Sequence, residues 1–354
     1  MARNAFKKYL INEESSIRDA ILRLYDSKVS ILICHDRNDN VTGVFSEGDF
    51  RRAVHKKIEL NSSLKEVFNK SFYFIEDIND LEKLDNILQK ENIELIPVLK
   101  NKKLKDIIHT EKYRKDKSSK NSSALTEHPL LIMAGGKGTR LDPFTRILPK
   151  PLMPIKDDPI IKLIINKFLS YGVNKVFISL NEKAEMIKGY FSSQEMGCEL
   201  SFLTEEKPLG TAGSLSLLGN IENHLFMTNC DIIIDTDYSK ILEFHKVNKN
   251  ILTLVSSAVE YNIPYGICEI KEGGELSKLV ERPKLDYLVN TGLYLLSPEA
   301  ISLVPSNKRM DMPDLIELLV SKKKKIGVYP VSEKSWQDIG QWSEYKKTVS
   351  SFDI

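Results

Sequence analysis

Residues 130–143 read Leu-Leu-Ile-Met-Ala-Gly-Gly-Lys-Gly-Thr-Arg-Leu-Asp-Pro, and Pro149-Lys150-Pro151-Leu152 follows shortly after. Leu130 to Met133 is an unbroken apolar run, the pattern of a strand covered on both faces. It leads directly into glycine-rich backbone. Gly135, Gly136 and Gly138, flanked by Ala134 and Thr139, let main-chain N–H groups approach phosphate oxygens without interference from a Cβ. Arg140 adds a forked cation suited to a polyphosphate. Lys150 stands between two prolines, which stiffen its backbone and limit where its ammonium can reach. The segment is not a P-loop, because no Gly-Lys-[Ser/Thr] follows at the required spacing, and it is not the G-x-G-x-x-G dinucleotide fingerprint. A tight strand-to-helix turn with surface cations is the bland alternative, and it leaves the co-occurrence of so many parts unexplained.

Outward from this loop, helical and extended patterns alternate. A helix is predicted over Ile160 to Tyr171 and a strand over Lys175 to Ser179. Alternating β and α elements imply an α/β fold with a mostly parallel sheet. Ligands of such sheets sit at the carboxyl ends of the strands, where the glycine loop lies.

The loop resembles the signature of sugar-1-phosphate nucleotidyltransferases, G-G-x-G-T-R-L-x-P-x-T followed by P-K-P, and the resemblance covers residues 130 to about 346. It implies a Rossmann-like sheet of the nucleotide-diphospho-sugar transferase type. It also implies a reaction in which a sugar 1-phosphate displaces pyrophosphate from a nucleoside triphosphate, with Arg140 and Lys150 as the catalytic cations. Leu209-Gly210-Thr211-Ala212-Gly213 looks like the family's base-side loop, with Gly210 and Thr211 against the nucleotide. Glu205 stands where relatives using uridine or thymidine nucleotides tend to carry Gln. A carboxylate offers acceptors only, and guanine presents two adjacent donors, so Glu205 is suited to guanine. A surface Glu in a polar turn is the alternative. The run Glu205 to Gly210 also resembles mannose-1-phosphate guanylyltransferases.

Three further motifs match the same family. Asn229-Cys230-Asp231 follows an apolar strand, with Cys230 in place of the usual Gly. Trp336-Gln337-Asp338-Ile339-Gly340 resembles the W-x-D-I-G element. The resemblance implies that Asp231 and Asp338 hold a magnesium ion, and two carboxylates are a normal protein share of its shell. An isolated Asp at a strand end is otherwise a turn former. Glu281-Arg282-Pro283-Lys284 occupies the place of E-K-P, which implies sugar contact by Glu281 and phosphate contact by Arg282 or Lys284. Asn290-Thr291-Gly292, expected just before a strand over Leu293 to Leu296, matches a sugar-binding N-x-G. Asn290 alone reads equally well as a turn residue.

Residues 1–118 show two similar halves. Each has a helix (Ile17 to Ser27; Leu81 to Glu91), a strand (Ile31 to Cys34; Leu95 to Leu99), a turn and a further segment. Such a repeat argues for duplicated units that cover each other's apolar faces. The pattern resembles a tandem pair of CBS domains. Ser46-x-x-Asp49 fits the ribose-contacting spacing of that family and also reads as a simple helix cap. Thr110-x-x-Tyr113 lacks the Asp. One regulatory site for an adenine nucleotide, AMP or ATP, is therefore expected, and homo-oligomers are expected because CBS pairs tend to dimerise. Arg114 to Glu127 is polar and Lys/Ser-rich, the composition of a linker or a frayed helix. The expected organisation is a CBS pair over 1–118, a linker over 119–128 and a transferase domain over 129–354.

Bulk properties agree with an ordinary globular chain. Over 354 residues, 42% are hydrophobic and 28% charged, with a formal net charge of +2, so no global field favours nucleic acid or an anionic membrane. The four cysteines lie far apart and the six histidines show no metal-like spacing. With no signal-type N-terminal core, a cytoplasmic setting is expected. No hexapeptide repeat suggests an added acyltransferase solenoid. GTP is the expected nucleotide. The CBS-plus-transferase arrangement resembles bacterial guanylyltransferases acting on glucosamine 1-phosphate in the making of legionaminic acid. Mannose 1-phosphate or UTP/dTTP as substrate, and a non-catalytic nucleotide-sensing subunit, are the alternatives.

Overall fold

The computed structural model describes residues 6–77, 80, 83, 84, 87, 94–110, 123–136, 138–340, 342 and 345. The expected linker core and most of the helix expected over Leu81 to Glu91 lie outside these residues. The chain forms two compact units. One takes in Met1–Lys117, Ala258–Leu288 and Ser332–Lys334; the other takes in Ser118–Ser257, Val289–Val331 and Ser335–Ile354.

In the first unit, β1 (Leu10–Asn12), helix α1 (Ile17–Ser27), β2 (Ile31–His35), β3 (Val41–Ser46) and α2 (Glu47–His55) follow in order. The strands form a three-stranded sheet, β1 parallel and β3 antiparallel to β2. Both helices start at capping boxes. Ser16 and Asp19 exchange side-chain and backbone hydrogen bonds at α1, and Ser46 and Asp49 do so at α2. Each box satisfies two N–H groups that a helix start leaves open. Ile17, Ala20, Ile21 and Leu24 of α1 recur at helical spacing and are buried with Leu32, Phe45 and Phe50. In the second half, β4 (Leu95–Lys100) and β5 (Lys103–His109) form an antiparallel hairpin. Asn101 and Lys102 take positive φ at its turn.

The second unit is built on the apolar strand of the glycine loop. Its elements begin with β6 (Leu130–Met133), the short pair β7 (Pro154–Ile155) and β8 (Asp158–Pro159), α3 (Ile160–Leu169), β9 (Lys175–Leu180), α4 (Ala184–Ser192) and β10 (Glu199–Thr204). Then come α5 (Gly210–Gly213), β11 (Leu225–Asn229), β12 (Ile232–Ile234), α6 (Tyr238–Val247) and β13 (Leu252–Asn262). After the hairpin β14 (Ile267–Ile270) and β15 (Leu276–Val280), which falls in the first unit, follow β16 (Lys284–Leu296), α7 (Pro298–Ser302), α8 (Met312–Ser321), β17 (Ile326–Ser332) and β18 (Trp336–Asp338). Seven strands form one sheet in the order β10-β9-β6-β11-β16-β13-β17. The pairs β10–β9, β9–β6 and β6–β11 are parallel, and β11–β16 is antiparallel.

The apolar runs have a direct physical cause. Leu130 and Ile132 point into one core with Ile161, Ile165 and Phe168 of α3, whereas Leu131 points into a second with Leu315 and Leu319 of α8. Strand side chains alternate between faces, so a sheet covered on both sides needs apolar residues at every position. One expectation needs correction. Asn290-Thr291-Gly292 does not precede a strand but lies inside the 13-residue β16. Thr291 donates its hydroxyl to the Val255 carbonyl at 2.7 Å, and the small Gly292 takes φ +86°. The strand therefore passes through a sequence that reads locally as a turn. Among the described residues, no helix is long and apolar enough to cross a membrane.

A polar cluster gathers around His245. His245 is fully buried, with Nδ1 2.8 Å from Thr253 Oγ1 and Nε2 2.9 Å from Ser297 Oγ. His224 packs edge-on against it at 4.6 Å between centroids, and His128 stacks on His224 at 5.5 Å. Burial, reinforced by the neighbouring imidazoles, pushes His245 down to about 3; burial and His128 push His224 down to about 4. In the unfolded chain these groups take up protons below their ordinary value near 6.5, while in the folded chain they stay neutral. Stability is therefore lost as pH falls from about 6.5 toward the depressed values. The melting temperature should drop measurably between about pH 7 and about pH 5, above the carboxylate range, and His245→Gln should flatten that slope while lowering the midpoint at neutral pH. A slope unchanged by His245→Gln would remove the cluster as its cause.

Candidate active site

The glycine loop leaves the end of β6 and is held there by an N–H of Ala134 donating to the Ser179 carbonyl of β9 at 2.9 Å. Gly138 takes φ +69°, and a Cβ there would meet Thr145 Cγ2 at 3.0 Å and Lys150 Cβ at 3.1 Å. Thr145 closes the turn by donating its hydroxyl to the Gly138 carbonyl at 2.9 Å. Gly136 faces open space. Lys137 lies outside the described residues. Thr139 and Arg140 are exposed at the mouth of a cavity of about 420 Å³.

Lys150 and Asp231 form an ion pair at the cavity wall, with only 9% and 6% of each residue exposed. Asp231 lies between β11 and β12. β12 pairs antiparallel with β18, placing Ile232 opposite Asp338. Ile339 then donates its N–H to the Asp231 carbonyl at 2.8 Å, and Gly340 donates to Asp338 Oδ1 at 2.7 Å. A Cβ on Gly340 would lie 2.5 Å from Asp231 Oδ2, 2.8 Å from Asp338 Oδ1 and 3.0 Å from Lys150 Nζ. Two carboxylates and one ammonium, distant in sequence, thus border one small space that only glycine leaves open. Cys230, in the same wall, has its thiol pushed up to about 12 by burial and by Asp231, so it stays protonated.

At the other end of the cavity, Glu205 is held by two donors. Ser179 Oγ donates to its Oε1, and the Leu209 N–H donates to Oε2 at 2.9 Å. The loop that follows is clipped to the start of α8. Ala212 and Gly213 both donate to the Met310 carbonyl at 2.9 Å, and Thr211 donates its N–H to Asp311 Oδ1 at 2.9 Å. Met312 N–H returns a bond to Thr211 Oγ1 at 2.8 Å. Asp311 also lines the cavity. Reading motifs alone passes over Asp311, although Asp311-Met312-Pro313-Asp314 carries the signal of a capped helix start.

Ala134 is buried at the foot of the glycine loop. Gly135, Gly136, Gly138, Thr139, Arg140, Lys150, Glu205, Gly210, Thr211 and Asp231 line the one cavity, with Asp338 beside Lys150 and Asp231. Gly292 packs so closely on the Asn229 side chain, another cavity residue, that a Cβ would overlap its amide. Asn290 donates to the Tyr294 hydroxyl at 2.7 Å and accepts from the Gly292 N–H at 3.1 Å. Glu281, Arg282 and Lys284 belong to the first unit. There Arg282 Nε lies 3.7 Å from Glu281, and Lys284 Nζ lies 3.3 Å from Glu260 Oε1. Ser46 donates both its N–H and its hydroxyl to Asp49 Oδ2, and Asp49 also pairs with Arg52.

A mostly parallel α/β sheet thus gathers a glycine loop, Arg140, Lys150, Asp231 and Asp338 where such folds place their ligands. Residues 130–352 match the family described as nucleotidyl transferase, and residues 6–56 match the CBS domain. The chain belongs to the nucleotidyl transferase family and carries a CBS domain at its N-terminal end. It is 31% identical over 228 residues to a mannose-1-phosphate guanyltransferase of Saccharomyces cerevisiae, covering 61% of this chain and 62% of that one. It is 27% identical over 241 residues to a UTP–glucose-1-phosphate uridylyltransferase of Synechocystis, covering 62% of each. The match thus spans less than two thirds of the length of these relatives. The crystal structure of HddC from Yersinia pseudotuberculosis superposes with a TM-score of 0.52 at 25% identity, over 64% of this chain and 99% of that one.

Gly210 tests the clip. It takes φ +81°, and a Cβ there would meet the Met310 carbonyl at 2.6 Å and Asp311 Oδ1 at 2.7 Å. Gly210→Ala should cost about 1–3 kcal/mol in denaturant unfolding, from strain and from pushing the loop off α8. An unchanged midpoint would mean that the loop is not held as described.

Proposed function

We propose that the chain is a sugar-1-phosphate guanylyltransferase. The observation that carries this reading is the convergence of Lys150, Asp231 and Asp338 beside Gly340, in the same site as the glycine loop and Arg140. An oxygen of the sugar 1-phosphate attacks the α-phosphorus of the triphosphate. A P–O bond forms there as the bond to the β-phosphate bridge oxygen breaks, and pyrophosphate leaves. The nucleophile is already anionic near neutral pH, so the protein has positioning and charge neutralisation to supply. The main-chain N–H groups of Gly135, Gly136 and Gly138 cradle the triphosphate, and Arg140 holds the departing pyrophosphate. Lys150 leaves its pair with Asp231 to contact the α-phosphate.

Asp231 and Asp338 fit a divalent ion. They are two hard oxygen donors that approach one point, and magnesium takes one or two carboxylates with substrate phosphates. When bound, magnesium supplies positive charge against the phosphates. Glu205 selects guanine. Each of its oxygens accepts one protein donor and keeps a second lone pair for the base. Lys284 and Arg282 contact the sugar phosphate, and Glu281 and Asn290 contact sugar hydroxyls. Glucosamine 1-phosphate is the proposed acceptor, and mannose 1-phosphate is the second reading, supported by the Saccharomyces cerevisiae relative named above. The paired cap at Ser46 and Asp49 is the proposed place for adenine nucleotide in a CBS pair of a cytoplasmic homo-oligomer.

The test is a matrix of GTP, UTP, dTTP and ATP against glucosamine, mannose and glucose 1-phosphates, read by pyrophosphate release and product mass, with AMP or ATP added as effector. GDP-glucosamine is the expected leading product. No pyrophosphate from any pair would leave only a non-catalytic, nucleotide-sensing role. Lys150→Ala should lower kcat by about 10²-fold or more, the scale for removing one charge-stabilising donor, with the fold retained by circular dichroism. Normal turnover by that variant would remove Lys150 from the chemistry.

A further inference from the structure

Within the first unit, helix α1 places a cation over the strands that carry the Glu281-Arg282-Pro283-Lys284 motif. Its residues Ile17, Ile21 and Leu24 share a buried cluster with Ala258 of β13. Strand side chains two apart share a face, so Glu260 points the same way as Ala258, and Lys284 and Asp286 share a face of the neighbouring β16. Arg18, in the first turn of α1, lies with Nε 3.0 Å from Glu260 Oε2 and also pairs with Asp286. Lys284 Nζ lies 3.3 Å from the other Glu260 oxygen. The Arg18 and Glu260 side chains are only 14% and 12% exposed, whereas Lys284 is 57% exposed.

We propose that Arg18 is a positioning residue that keeps Lys284 available to the phosphate of the acceptor sugar; the inference rests on the sugar-phosphate role given to Lys284 above. The four side chains form a neutral cluster of two cations and two carboxylates. When Lys284 turns toward a phosphate, its partner Glu260 is left largely buried. Uncompensated charge in such a place is costly. Arg18 stays in contact with both Glu260 and Asp286, so the carboxylates keep a counter-charge and Lys284 is released at small cost. Without Arg18, two carboxylates face Lys284 alone and hold it. Arginine suits this task because one planar fork reaches two carboxylates at once.

Steady-state kinetics on the full chain with GTP and glucosamine 1-phosphate test this. Arg18→Met keeps the stem that covers Ala258 and removes the charge. It should raise KM for the sugar phosphate about tenfold, with KM for GTP and kcat within about twofold of the parent, since it removes binding of one substrate only. Adding Glu260→Gln to Arg18→Met leaves one carboxylate facing Lys284 and should recover most of that rise. Glu260→Gln alone should leave KM for the sugar phosphate equal to or below that of the parent, which keeps the test open if Arg18→Met does not fold. A purely structural Arg18 predicts instead a lower melting temperature with both KM values moving together, and no selective recovery. An unchanged sugar-phosphate KM in Arg18→Met, or a raised one in Glu260→Gln, overturns the inference while the guanylyltransferase reading stands. A parent chain that neither turns over nor binds any sugar 1-phosphate overturns both.

Discussion

Lys150 and Asp231 are the charged centre around which the described site is arranged. A buried ion pair recovers its desolvation cost only if its geometry is held and its remaining polar atoms are matched. Here the geometry is held from several sides. Two prolines fix the Lys150 backbone, and Gly138 packs against its Cβ. Asp231 follows the central strand β11 and is tied by its carbonyl to the Ile339 N–H. The short β12–β18 pairing then decides everything else about this corner, because its register sets Asp338 next to the pair.

The end of the cavity that holds Glu205 is fixed by backbone N–H groups donating to a carbonyl and to carboxylates. Met310 and Asp311 receive the N–H groups of residues 211–213, and Glu205 receives that of Leu209. These bonds satisfy donors that a four-residue helix would otherwise leave open. The start of α8 extends the same network, since Asp311 donates its N–H to Asp314 Oδ2 and accepts from the loop.

The first unit shows the same economy of means. One helix, α1, supplies apolar side chains to the core shared with Ala258, a cation to Glu260 and Asp286, and a carboxylate, Asp26, to Lys334 at 2.6 Å. Lys334 stands two residues before Trp336, the first residue of β18. The segments around Asp286 and Lys334 are therefore bonded to the same helix.

The alternation of apolar strands and amphipathic helices, the glycine loop and the two carboxylate motifs were legible in the chain itself. They depend on spacing and on backbone freedom, which act over a few residues. Gly138 and Lys150 could be singled out because a turn and two prolines write their demands locally. Asn290 to Gly292 was misplaced for the complementary reason: β16 passes through it only because Val255 and Asn229 lie alongside, and no local pattern shows that. Asp311 reads in one dimension as a helix cap, and its grip on Thr211 appears only when the chain folds 100 residues back. The pairing of Arg18 with Asp286 spans 268 residues. By itself, then, the sequence determined the fold class, the glycine loop and the candidate charged side chains. Which charges meet was decided by strand register and helix docking alone, since electrostatic and hydrogen-bond energies depend on distances of a few ångströms that only the packed structure defines.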